Sequence, residues 1–151
     1  MIDTLISIAV MAAFLLAAAI DLRERRIPNS VALFVAVMAV ARLSIAAFTG
    51  EGIGAVAIDC VAALAGFVLL LTAFRFGVMG GGDAKLITAG ILWFGVPEAA
   101  AFLVITMLAG GVLSGAILVL DRVRVGIAAS GVPYAVAIAV GGVATISVGL
   151  S

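Results

Sequence analysis

The stretch Gly80-Gly81-Gly82-Asp83-Ala84-Lys85 lies between two long apolar segments, three glycines running into an acid. A carboxylate near the hydrocarbon boundary of a membrane is costly and tends to mark function. A second acid, Asp21, closes an earlier apolar segment, in Asp21-Leu22-Arg23-Glu24-Arg25-Arg26-Ile27-Pro28-Asn29. The rest of the chain reads as the frame that brings these two acids together.

Composition supports that reading. Of 151 residues, 66% are hydrophobic and 11% charged, whereas a soluble domain is nearer half apolar with about a quarter charged. The chain is therefore expected to be an all-α, multi-pass membrane protein forming one domain over residues 1–151. Its net charge is zero, and without a basic face or an aromatic and basic cluster no nucleic-acid partner is expected. There is one cysteine, Cys60, and no histidine. An internal disulfide is excluded and no metal site or cofactor is expected, since zinc needs about four gathered ligands. Cys60 reads as a buried helical thiol.

A spanning helix takes about twenty apolar residues. Six segments meet or approach that rule: 4–20, 31–48, 53–74, 84–94, 98–120 and 127–150. Gly95-Val96-Pro97-Glu98 reads either as a tight turn between the fourth and fifth or as a kink in one longer helix. Residues 1–20 lack a basic start and are kept as a mature segment, not a cleaved signal.

The basic residues orient the frame. Arg23, Arg25, Arg26, Arg75, Lys85, Arg122 and Arg124 fall in alternate loops, and Arg42 alone lies on the other side. The positive-inside rule places those loops in the cytoplasm and both termini outside, with Asp21 and Asp83 at the cytoplasmic boundary of the inner membrane.

Two carboxylates at one depth on different helices can share a proton, because like charges a few ångströms apart resist joint ionisation. This is aspartyl protease chemistry: the ionised acid takes a proton from water, the water attacks a peptide carbonyl, and the protonated acid polarises that carbonyl. Asp83 is expected to begin a helix, whose dipole favours a carboxylate, and Asp21 to close one, where the dipole disfavours it. That contrast favours Asp83 as the ionised member, while Arg23 and Arg25 push Asp21 the other way. Gly80, Gly81 and Gly82 allow close backbone approach and a positive φ before the helix. Asn29 or Ser30 is expected to cap the second helix after Pro28.

These residues resemble the type IV prepilin peptidases, intramembrane aspartyl proteases of the Gly-x-Gly-Asp class. The resemblance is carried by Asp21 with Ile27-Pro28-Asn29, by Gly80-Gly81-Gly82-Asp83-Ala84-Lys85, and by Pro133-Tyr134-Ala135, similar to a Pro-Tyr-Gly element of that family. It implies a catalytic dyad of Asp21 and Asp83. Pro28, Asn29, Gly80, Gly81, Gly82, Lys85, Pro133 and Tyr134 are implied as substrate-binding or supporting residues. The implied substrate is a prepilin or pseudopilin whose short basic leader is cut at the cytoplasmic face, with self-association left open. The size resembles the short Flp or Tad forms. With no room for an added domain between the first two segments and a single cysteine, methyltransferase activity is not expected. Ala135 and Ala84 depart from the commoner residues of the motifs and bear on substrate fit.

Blander readings compete. Asp21 alone could pair with Arg25 one turn on, and Asp83 alone could be a helix cap. Lys85 could snorkel to the surface. Asp59 lies inside the third segment, with Arg42 as a candidate partner, Asp121 belongs to a solvated loop, and Trp93 reads as an interfacial anchor. A non-enzymatic transporter or assembly subunit could use the two acids for an ion or proton. Such proteins place carboxylates near the midplane and show repeats of broken helices, and neither is visible. The presenilin type shares the glycine-acid motif, but no Pro-Ala-Leu element is present.

Overall fold

A computed structural model describes residues 2–49, 52–123 and 132–149. The described residues form six helices: α1 Ile2–Glu24, α2 Asn29–Thr49, α3 Ile53–Arg75, α4 Gly81–Phe94, α5 Val96–Val123 and α6 Tyr134–Gly149. Their breaks are chemical. Arg25 takes φ 54° after α1, Pro28 precedes α2 and Pro133 precedes α6, where a missing N–H and a fixed φ suit a helix start. Gly95 ends α4 at φ 74°, its N–H donating to the Ile91 carbonyl. A residue with a side chain rarely adopts that φ, so the 95–98 stretch is a true break and not a kink. Pro97 then sits in the first turn of α5.

Four helices are long and apolar enough to cross a membrane: Thr4–Glu24, Asn29–Thr49, Ile53–Arg75 and Val96–Leu120. α4 has 14 residues and the described α6 has 16, about 21 and 24 Å of helix against a hydrocarbon core of about 30 Å. Residues 127–131, expected to open the sixth segment, lie outside the described residues, as does Arg124. α3 buries only Ala63, so its apolar side chains face outward, the inverse of a soluble helix and the pattern expected in lipid.

α4 is the central element, packed on α2, α3, α5 and α6, while α1 packs on α6 and α2. Below the first turn of α4, Phe14, Phe94 and Phe102 meet with ring centroids 5.0 to 6.4 Å apart. Two glycines make that cluster fit. A Cβ on Gly142 would lie 2.7 Å from the Phe14 ring, and one on Gly90 would lie 2.8 Å from Phe102.

Two sequence expectations change. Trp93 is 6% exposed, with Arg42 standing 5.9 Å from its ring; the short α4 ends inside the bundle, so its terminal aromatic is core and not an interfacial anchor. Cys60 is exposed and not buried, because α3 turns that face outward. Arg42 does meet Asp59, at 4.0 Å, and Asp59 Oδ1 accepts the Val96 N–H at 2.8 Å, capping the start of α5.

Candidate active site

Asp83 is the third residue of α4, after Gly80 in extended backbone with φ −72° and ψ 145°. Its carboxylate accepts the Gly80 backbone N–H, satisfying one of the donors a helix start leaves open. None of the three glycines has a positive φ, so conformational freedom is not their use. Close approach is. A Cβ on Gly80 would fall 2.8 Å from Asp83 Oδ2, one on Gly82 2.9 Å from Ile27 Cβ, and one on Gly81 3.2 Å from the Phe74 ring. The triplet therefore seats the start of α4 against both the turn after α1 and the end of α3.

Asp21 sits in the last turn of α1, only 7% exposed. Its Oδ2 accepts the Ala135 N–H at 3.2 Å, at the start of α6. Its side chain is thus held by a helix 114 residues away, not reserved for an exposed pair with its neighbours. The contrast drawn from each acid's own helix end is removed, since both carboxylates now meet a helix N-terminus. The two lie close enough for the charge of Asp21 to act on Asp83. Tyr134 completes the group, packing over Gly110, where a Cβ would lie 2.8 Å from its hydroxyl. Asp83, Gly80 and Tyr134 line one cavity of about 520 Å³.

Two acids on separate helices, bracketed by glycine and proline-tyrosine elements, are the arrangement against which relatives are to be judged. Residues 8–115 match the type IV leader peptidase family. The chain belongs to that family. No curated protein and no solved structure matches it. Family membership makes it a protease of the leader peptidase type, and together with four apolar helices it makes the chain a multi-pass membrane protein.

In this leader peptidase the residues beside the acids are tied to one another by local bonds. Lys85 Nζ donates to Asn29 Oδ1 at 2.9 Å, joining the two acid-bearing motifs directly. Asn29 is therefore turned towards α4 instead of capping its own helix, and Lys85 reaches it while remaining exposed. Pro28 supplies a carbonyl to the Val31 N–H, and Pro133 supplies one to Val136 N–H. Arg122 and Asp121 continue α5 instead of opening a loop, since the apolar helix runs on without a breaker.

Two contacts of these residues were out of view in the sequence. The Ala135 N–H as partner of Asp21 was missed, although a proline two residues before it already marked a helix start. Ile27 as the reason for Gly82 left no signal beyond its place beside Pro28. Among the described residues, no group of His, Cys, Asp and Glu is gathered in a way that could hold a metal.

Proposed function

We propose that this leader peptidase is an aspartic endopeptidase in which Asp21 and Asp83 share one water and cut the short basic leader from a prepilin or pseudopilin at the cytoplasmic face of the inner membrane. The observation that carries the reading is that carboxylates from α1 and α4 lie close enough for one charge to act on the other, with Asp83 lining a cavity of about 520 Å³. In the reaction the ionised acid removes a proton from water, the oxygen attacks the scissile carbonyl, and the protonated acid stabilises the developing oxyanion. The pair titrates as a unit, so the two roles belong to the dyad and not to fixed residues. Six crossings with both termini outside accord with the basic residues, and the one described inter-helix turn that carries any, with Arg25 and Arg26, follows the last turn of α1 that holds Asp21.

Methyl transfer is not part of the proposal. Only residues 25–28 separate α1 from α2, too few for a further domain. A transporter reading fares worse because the acids lie at helix ends and not at the bundle's mid-depth.

The test is cleavage of a prepilin by purified protein in liposomes, with Asp21→Asn and Asp83→Asn alongside. Each substitution is expected to lower turnover by roughly 10³-fold or more, as loss of a member of a catalytic unit does. Full leader removal by either variant ends the proposal.

A further inference from the structure

The end of the bundle away from the acids carries charges that peptide cleavage does not use. Ser7 precedes Asp21 on α1 by about 21 Å of helix, at about 1.5 Å per residue. At that end Ser7, Arg42 and Trp93 stand in the walls of two cavities, of about 440 and 170 Å³, so the two adjoin beside the guanidinium. The larger adds the aliphatic side chains of Ile6 and Ile45 and the hydroxyl of Thr49. The smaller adds Glu98. Ile45, Thr49 and Glu98 are exposed, so both cavities reach the surface.

Among the described residues these charges are poorly matched. The one carboxylate within reach of Arg42 is Asp59, whose Oδ2 stands 4.0 Å from Nη2, longer than a hydrogen bond. The other oxygen of Asp59 is engaged by the Val96 N–H. The Trp93 ring, 5.9 Å from the guanidinium, holds a cation without neutralising it. Glu98 shares the smaller cavity with Arg42, yet the two form no ion pair. A cation and an anion thus line one space without touching, in a chain where an ionisable side chain tends to mark function.

We propose that these adjoining cavities bind the headgroup of a phospholipid that carries both a phosphate and a primary ammonium. The phosphate lies on Arg42 with the Ser7 hydroxyl as a further donor, and the ammonium reaches Glu98. A guanidinium suits phosphate because its planar donors match the oxygens in pairs. A simple anion would answer Arg42 and be opposed by Glu98, and a simple cation the reverse. A zwitterion answers both. The wall of Ile6 and Ile45 favours a lipid over a soluble zwitterion, since only a lipid has carbon to bury there. The site lies apart from the acids and does not depend on the peptidase reading.

The experiment offers the purified whole protein, in a neutral detergent, equal amounts of phosphatidylethanolamine and phosphatidylglycerol with the same acyl chains. Retained lipid is counted by native mass spectrometry. Wild type is expected to retain phosphatidylethanolamine at least about fivefold over phosphatidylglycerol, whose headgroup lacks the ammonium. Glu98→Gln is expected to remove that preference, and Arg42→Gln to remove retention of both lipids. Arg42→Gln also takes the counter-charge from Asp59, so the exposed Glu98→Gln decides the matter if the other variant fails to fold. The unfolding midpoint of wild type is expected to rise with phosphatidylethanolamine and not with soluble phosphoethanolamine. Equal retention of the two lipids by wild type, or an unchanged preference in Glu98→Gln, overturns the site. A midpoint raised as far by soluble phosphoethanolamine gives the cavities to a free solute and overturns the lipid.

Discussion

At the scale of single residues, glycine here acts through the space it leaves. Gly82 is a clear case, because the contact it avoids is with the Cβ of Ile27, which no change of rotamer can move aside. Gly82→Ala is expected to lower the unfolding midpoint in detergent, by the equivalent of about 1–3 kcal/mol for an overpacked contact, and to lower activity with it. Ile27→Gly in the same chain, which removes that Cβ, is expected to recover part of both losses, whereas Gly82→Ala without such recovery would show that the contact is not the cause. Thr106 works in the opposite sense. Thr106→Val removes a buried hydroxyl that has no hydrogen-bond partner among the described residues and is expected to raise the unfolding midpoint, since such a hydroxyl destabilises the folded protein. A lowered midpoint would show that the hydroxyl is bonded after all.

At the scale of elements, the question is what ties one helix to the next. The Lys85 to Asn29 hydrogen bond connects α4 to the start of α2, and the turn it secures carries Ile27 against Gly82. Lys85→Met and Asn29→Leu are expected to be non-additive, with a coupling of about 0.5–1.5 kcal/mol in a double-mutant cycle of unfolding. Additive losses would mean that the two side chains act separately. At the far end, Asp59 caps α5 through Val96 and stands near Arg42. Both Asp59→Asn and Asp59→Ala remove the counter-charge of Arg42, but Asp59→Asn keeps the capping oxygen and is expected to be the milder, while Asp59→Ala also loses a cap worth about 1 kcal/mol. Equal unfolding midpoints for the two variants would remove the cap from the account.

At the scale of the whole molecule, α4 is too short to cross a membrane of ordinary thickness by itself, yet it packs on α2, α3, α5 and α6 and meets α1 through Phe94. The arrangement is held by the aromatic cluster of Phe14, Phe94 and Phe102, which locks α1, α4 and α5 together beneath the acids. Orientation is open to a direct check. In a Cys60→Ser background, single cysteines introduced at Arg25 and Gly77 are expected to react with an impermeant thiol reagent from the cytoplasmic side alone. A cysteine at Gly52 is expected to react only from the opposite side. Labelling of Arg25 and Gly77 positions from opposite sides would break the six-pass reading.

How much was legible beforehand follows from which forces act locally. Helix number, the break at Gly95, the placing of Asp21 and Asp83 at helix ends and the Arg42 to Asp59 pair were readable, because apolar runs, proline, glycine and charge act within a few turns of chain or across one short loop. Trp93 and Cys60 were misread, since burial of a residue in an apolar bundle depends on which neighbours surround it, and an almost uniformly apolar chain carries no polar face to reveal that. The partner of Asp21 was likewise out of reach: a backbone N–H is the same at every position, and only the packing of α6 on α1 selects the one at Ala135. Sequence alone determined that two acids would stand at helix ends in an apolar bundle. The tertiary structure decided that they lie close enough for one charge to act on the other and that the glycines between them are there for close contact, because those facts depend on the relative depth of helices, which side-chain packing sets and chain order does not.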